Sequence, residues 1–188
     1  MKNIAIFASG SGTNYEAIIN EVEKGNIKAN VVLMVCDHAD AYVCTRAKNH
    51  GTPIYIIDYK GKKKEEYEAP LVEKLKELNV DLIVLAGYMR ICGKTLLDAY
   101  EGRIINIHPA LLPSFKGAHG IADAFNYGVK VFGVTVHYVD AGMDSGKIID
   151  QRAFHYTDGE TVDQVEEHIH AIEHELYPEV VKKLTEEN

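Results

Sequence analysis

Short runs of Ile, Val and Leu recur along this chain at intervals that leave room for one helix between each pair, and this alternation restricts the fold more than any other feature. Ile4–Ala8, Val31–Cys36, Ile54–Ile57 and Leu82–Ala86 are too short to be helices and rich in β-formers, so each reads as a strand. Helical periodicity fills Asn14–Lys24, Ala39–Asn49 and Lys64–Leu78 between them, with Gly25, Gly51 and Asn79 placed to end each helix. Apolar runs at Ile104–Ile107, Val131–Val139 and Lys147–Phe154 extend the set, and a last helix is expected over Thr161–Leu184 with Thr161 as its N-cap. Strands that are apolar throughout, separated by helices, belong to a parallel sheet buried on both faces. Only Asp140–Gly146 joins the last two runs, which is too short for a crossover helix, so they should form an antiparallel edge. The expected fold is α/β: a single doubly wound, mostly parallel sheet with helices on both faces, an antiparallel edge near the C-terminal part, and one domain over residues 1–188. Its site should lie at the carboxyl ends of the strands.

Of the 188 residues, 46% are hydrophobic, enough for a sizeable core. Twenty Lys and Arg against 28 Asp and Glu give a net charge of −8, which disfavours binding to nucleic acid or to an anionic membrane surface. No apolar run approaches the roughly 20 residues of a membrane helix, and Met1-Lys2-Asn3-Ile4 leads straight into a strand without a cleavage pattern, so a cytoplasmic location is expected. Three cysteines, Cys36, Cys44 and Cys92, without a CxxC spacing argue against a disulfide framework or a structural zinc. No metal is expected. The sequence is compatible with a monomer or a homodimer.

Two stretches carry chemistry. Ser9-Gly10-Ser11-Gly12-Thr13-Asn14 lies between a strand and a helix, where glycines admit a close ligand and backbone N–H groups point at negative charge; this suits a phosphate. A dinucleotide fingerprint would need a third glycine where Tyr15 stands, although Asp37 lies near the position of a ribose-binding acid. Gly87–Thr95 ends in Gly93-Lys94-Thr95 but has Tyr88 where a phosphate-binding P-loop requires glycine, so it is not one. In Ile104-Ile105-Asn106-Ile107-His108-Pro109, strand alternation puts Asn106 and His108 on one face and Ile105 and Ile107 on the other, and Pro109 places His108 at the strand end. An amide donor beside an imidazole suits acyl-type chemistry, the amide stabilising an oxyanion and the ring moving a proton. Ordinary hydrogen bonding at a strand end would explain the same pair equally well.

The order of motifs around this pair decides between those readings. Asn106-Ile107-His108-Pro109-Ala110-Leu111-Leu112-Pro113, Gly117, Gly133–His137 and Asp140–Gly146, together with Ser9–Asn14, Leu85–Ile91 and Glu173-His174 followed by Tyr177-Pro178, resemble the folate-dependent formyltransferase family over nearly the whole chain. The resemblance implies transfer of a formyl group from 10-formyltetrahydrofolate to the amine of glycinamide ribonucleotide in de novo purine biosynthesis, by direct attack through a tetrahedral intermediate. It implies that Asn106 donates to the oxyanion, that His108 acts in its cationic form, and that Asp144 sits beside the imidazole, where negative charge favours the cation. Gly12, Thr13 and Asn14 would hold the ribonucleotide phosphate, and Glu173 its amino or ribose groups; a solvated acidic face is the alternative for Glu173. Met89, Arg90, Ile91, Cys92 and Asn106 would line the folate pocket, and Lys64 would meet the folate tail where the family usually carries arginine, without that residue's planar fork. His119 reads equally well as approaching the site or as a loop histidine, and His137, within a strand, reads at least as well as a packed, hydrogen-bonded residue as a chemical one. Among relatives, a 10-formyltetrahydrofolate hydrolase would share the Asn, His and Asp set but normally carries a regulatory domain ahead of it. A nucleotide-binding oxidoreductase would need the missing glycine.

Overall fold

The computed structural model describes residues 1–187. The elements follow the chain as β1 (Lys2–Ala8), α1 (Thr13–Glu23), β2 (Ala29–Cys36), α2 (Tyr42–His50), β3 (Ile54–Ile56), α3 (Lys64–Glu77), β4 (Leu82–Leu85), α4 (Lys94–Ala99), β5 (Ile104–His108), α5 (Gly120–Tyr127), β6 (Val131–Tyr138), β7 (Ile148–His155) and α6 (Val162–Glu186). All seven strands lie in one sheet of order β3-β2-β1-β4-β5-β6-β7. Strands β3 through β5 are parallel, as their uninterrupted apolar sequences predict. The winding reverses between β1 and β4, which opens a crevice at their carboxyl ends.

Each face of the sheet carries its own apolar layer. Tyr15, Ile18, Val43, Ala47, Ile169 and Tyr177 from α1, α2 and α6 cover one face together with Ile4, Ile6 and Ile105 of the strands. Tyr67, Leu71, Leu75 and Leu96 from α3 and α4 cover the other over Phe7, Val35 and Ile83. Fully burying a side chain of this size is worth about 1.5–3 kcal/mol, so these two layers, more than helix propensity, hold the elements in place. The last helix is also fixed by polar contacts. Thr161 Oγ1 accepts from the Gln164 N–H at 3.2 Å and the Gln164 side chain accepts from the Thr161 N–H at 2.9 Å, a reciprocal cap that confirms the expected start. The fully buried Tyr177 hydroxyl donates to the carbonyls of Leu85, at 2.6 Å, and Ile105, at 3.3 Å, which ties α6 to β4 and β5. Lys2 Nζ reaches the Leu184 carbonyl at 2.9 Å.

The structure departs from the sequence reading in three places. Helix α2 begins at Tyr42 rather than Ala39, because Ala41 is extended and no side chain caps the helix earlier. Helices α4 and α5 were not expected; at 6 and 8 residues they are too short for periodicity to stand out. The antiparallel edge is one strand wider than foreseen, since β6 runs antiparallel to β5 as well as to β7.

Candidate active site

The crevice between β1 and β4 encloses about 510 Å³ and extends over the ends of β5 and β6. Its floor comes from β5. Alternation sends Ile105 and Ile107 into the apolar layer and leaves Asn106 and His108 on the opposite side, as the pattern required. Asn106 lies between Leu85 of β4 and His137 of β6 in register, at the middle of the sheet, where its backbone is held by both neighbours.

His108 is 4% exposed and fixed from both sides. Its Nε2 donates to the Phe115 carbonyl at 2.8 Å, and its Nδ1 faces the Asp144 carboxylate at 3.5 Å. Asp144 is anchored in turn by the Gly117 N–H, which donates to Oδ2 at 2.8 Å, while Oδ1 lies 3.7 Å from Nε2 of His137. One carboxylate is therefore shared by two buried imidazoles. His137 Nδ1 meets the Tyr138 carbonyl at 2.9 Å, and its Nε2 has no hydrogen-bond partner. Phe115 and Asp144 both hold positive φ, at 54° and 50°, a conformation that non-glycine residues adopt where surroundings demand it. Gly120 makes room for the ring: a Cβ there would stand 3.1 Å from the Phe115 carbonyl oxygen and 3.3 Å from His108 Nε2. Thr135, fully buried, donates to the Ala110 carbonyl at 2.7 Å and accepts from the Leu112 N–H at 3.1 Å, which sets the path of the chain just after His108.

The first loop forms another wall. Gly12 is the N-cap of α1 with φ 77° and ψ 28°. Helix α2 grips this loop through the Val43 N–H on the Gly10 carbonyl at 3.0 Å and Arg46 Nε on the Ser11 carbonyl at 2.7 Å. Gly12, Thr13 and Asn14 all line the cleft, at the start of an 11-residue helix whose free N–H groups favour an anion. Across from them, Glu173 of α6 is 6% exposed and lines the cleft, so it is not part of a solvated acidic face.

His170 stands one turn earlier on the same helix and was not singled out from the sequence, although its spacing from Glu173 places both on one face. Its Nδ1 meets Glu173 Oε1 at 3.1 Å and its Nε2 meets Glu166 Oε1 at 3.4 Å. The hydrogen bond to Glu173, opposed by partial burial and joined by the charge of Glu166, raises the His170 pKa from 6.5 to about 9. A pKa raised on folding contributes stability that is complete below 6.5 and disappears as pH rises through about 9. Thermal melts of wild type and His170→Ala should therefore differ most below pH 6.5 and converge above about pH 9; a gap that widened with pH would contradict the assignment.

The third wall is the segment after β4. Met89, Arg90, Ile91 and Cys92 line the cleft, as does Met143, and Met89, Ile91 and Met143 are exposed. The Arg90 guanidinium is engaged by other side chains: Nε donates to buried Asp37 at 3.2 Å, and the group stacks 3.4 Å over the Tyr59 ring. The Cys92 thiol is pushed up to about 12, first by burial and then by the negative charge of Glu68. Ser9 joins this wall to the first loop, its Oγ accepting from the Met89 N–H at 2.9 Å. Lys64 is the one expected site residue outside the lining; its Nζ donates to the Ile91 carbonyl at 2.7 Å, from a neighbouring groove. His119 stands at the N-cap position of α5 without a side-chain capping bond and likewise lies outside the lining.

The sequence pattern described as formyl transferase matches residues 2–181. The chain belongs to the formyl transferase family. Its similarity to individual members extends over almost its full length. It is 47% identical over 185 residues to phosphoribosylglycinamide formyltransferase of Bacillus subtilis (strain 168), covering 98% of this chain and 95% of that protein. It is 34% identical to 17% of the length of the human trifunctional purine biosynthetic protein adenosine-3, across 93% of this chain. Among solved structures, phosphoribosylglycinamide formyltransferase from Bacillus halodurans superposes with a TM-score of 0.95 at 50% identity, over 99% of this chain and 96% of that one.

Proposed function

We infer that this chain transfers the formyl group of 10-formyltetrahydrofolate to the amine of glycinamide ribonucleotide, a step of de novo purine biosynthesis. The observation that carries the reading is the meeting of Asn106, His108 and Asp144 at the floor of a cleft with a phosphate-type loop on one side, in a chain of the formyl transferase family. The donor subsite is assigned to Met89–Cys92 and the exposed apolar rim, an apolar slot with a few polar groups of the kind that takes a flat ring. Gly12, Thr13 and Asn14 take the ribonucleotide phosphate. Glu173 takes its amino or ribose groups.

The chemistry follows from charge. The incoming amine forms a bond to the formyl carbon, and the carbonyl π pair moves onto oxygen. Asn106 Nδ2 donates to that oxygen, and the His108 ring, held by Phe115 on Nε2 and by Asp144 beside Nδ1, is the group that gives up and regains a proton. The intermediate collapses by breaking the bond from carbon to folate nitrogen. One proton leaves the attacking amine and one reaches the folate nitrogen, so the balance closes without an external acid. Asp144 holds the cationic ring. No helix among the described residues is long and apolar enough to cross a membrane. The occupants proposed are small molecules.

The deciding assay mixes the protein with 10-formyltetrahydrofolate and follows tetrahydrofolate release with and without glycinamide ribonucleotide. Release only with the ribonucleotide is expected. Release independent of it would mean hydrolysis, and none under either condition would reject folate chemistry.

A further inference from the structure

No residue of α3 lines the cleft, yet α3 grips the segment that does. Glu68 is 2% exposed, and its carboxylate accepts from two backbone groups at the start of α4: the Gly93 N–H at 2.8 Å on Oε2 and the Leu96 N–H at 3.3 Å on Oε1. Those are the N-cap and third positions of a helix that has no side-chain cap of its own. A single carboxylate from another helix thus does for α4 what Thr161 and Gln164 do together for α6, and its negative charge also suits a helix start. A carboxylate buried this deeply is tolerable only while such donors satisfy it. One turn earlier on the same face of α3, Lys64 Nζ holds the Ile91 carbonyl. Gly93 lets both side chains close over the backbone, since a Cβ there would stand 2.5 Å from Lys64 Cδ and 2.6 Å from Glu68 Oε1. At its other end the segment is fixed by Ser9, through Met89 N–H and the Gly87 carbonyl.

We propose that Glu68 and Lys64 are positioning residues for folate recognition, a clamp from α3 that keeps the Met89–Gly93 backbone in its binding shape. The proposal rests on the assignment of that segment to the folate subsite. A loop of this length without regular structure would otherwise have to be ordered by the ligand, at a cost in apparent affinity. Lys64 acts through the Ile91 carbonyl, which explains how lysine serves at a position where an arginine fork is usual.

The test is steady-state kinetics with both substrates varied. Glu68→Ala is expected to raise the KM for 10-formyltetrahydrofolate about tenfold, with kcat and the ribonucleotide KM within about twofold. Glu68→Gln keeps one of the two acceptor oxygens and should give an intermediate rise of about threefold. Lys64→Met should raise the folate KM about threefold, by the same factor for 10-formyltetrahydropteroate, which lacks the glutamate tail. An unchanged folate KM in folded Glu68→Ala, an equal rise in both KM values, or a Lys64→Met effect that vanishes without the tail would each overturn the clamp. If Glu68→Ala does not fold, Glu68→Gln and Lys64→Met decide by the same criteria. Amide hydrogen exchange separates the clamp from the functional reading. The Gly93 and Leu96 amides should exchange about tenfold faster in Glu68→Ala, and at least one of them measurably faster in Glu68→Gln, whatever substrate the protein uses. Unchanged exchange sinks the clamp, whereas faster exchange in a protein without folate activity sinks only the folate assignment.

Discussion

Asn106→Ala should lower kcat by about 10²–10³ while the protein melts at nearly its normal temperature, because a single preorganised oxyanion donor has that value in a dry site. Asn106 is held by β4 and β6 through its backbone, so truncating the side chain leaves the sheet register intact. Its neighbours Ile105 and Ile107, which carry the packing of β5, point the other way and are untouched. The expected signature is therefore a large fall in kcat with little change in either KM. A variant that turned over at close to the normal rate would remove Asn106 from the oxyanion role, and the family resemblance would then have to be reconciled with a different donor.

Gly12→Ala attacks the opposite wall and should act through binding. At φ 77° an alanine is strained by about 1–2 kcal/mol, and its Cβ would lie 2.4 Å from Val43 Cγ2 and 2.6 Å from Val43 Cβ, inside contact distance of a residue that is itself fully buried. The loop and α2 must separate to admit it. The KM for glycinamide ribonucleotide should rise by about 10² or more, with the folate KM much less affected, and stability should fall by about 2–4 kcal/mol from strain and overpacking combined. Adding Val43→Ala removes the Cγ2 clash but leaves the Cβ contact at 2.6 Å and the dihedral, so the double variant should not regain the lost stability. Should Gly12→Ala bind the ribonucleotide normally, the loop is a structural turn and the phosphate lies elsewhere.

The parallel half of the sheet was legible because a strand buried on both faces must be apolar throughout, and Ile4–Ala8 or Leu82–Ala86 can be little else. The β5 pair was legible for a different reason: alternation and Pro109 together fix where Asn106 and His108 point. What could not be read locally were relations between distant segments. The connection from Pro109 to Lys130 is long enough to contain a helix, and nothing in its composition reveals that it returns the chain antiparallel to β5. His137 was evenly balanced between packing and chemistry in the sequence; only its register opposite Asn106 and its approach to Asp144 show that it shares the carboxylate. The capture of Ile91 by Lys64 likewise depends on the distance between α3 and the end of β4, which no periodicity encodes.

Tyr177 and Lys2 carry an implication for how the protein is made. Asn106 and His108 leave the ribosome dozens of residues before Tyr177, whose hydroxyl holds the two strands beneath them, and before Leu184, whose carbonyl receives the ammonium of Lys2. The nascent chain thus carries its reactive groups early on a sheet that still lacks its last covering helix. Catalytic competence should appear late and abruptly during biosynthesis, when α6 docks, because a domain of this kind gains its final packing as a unit and not residue by residue.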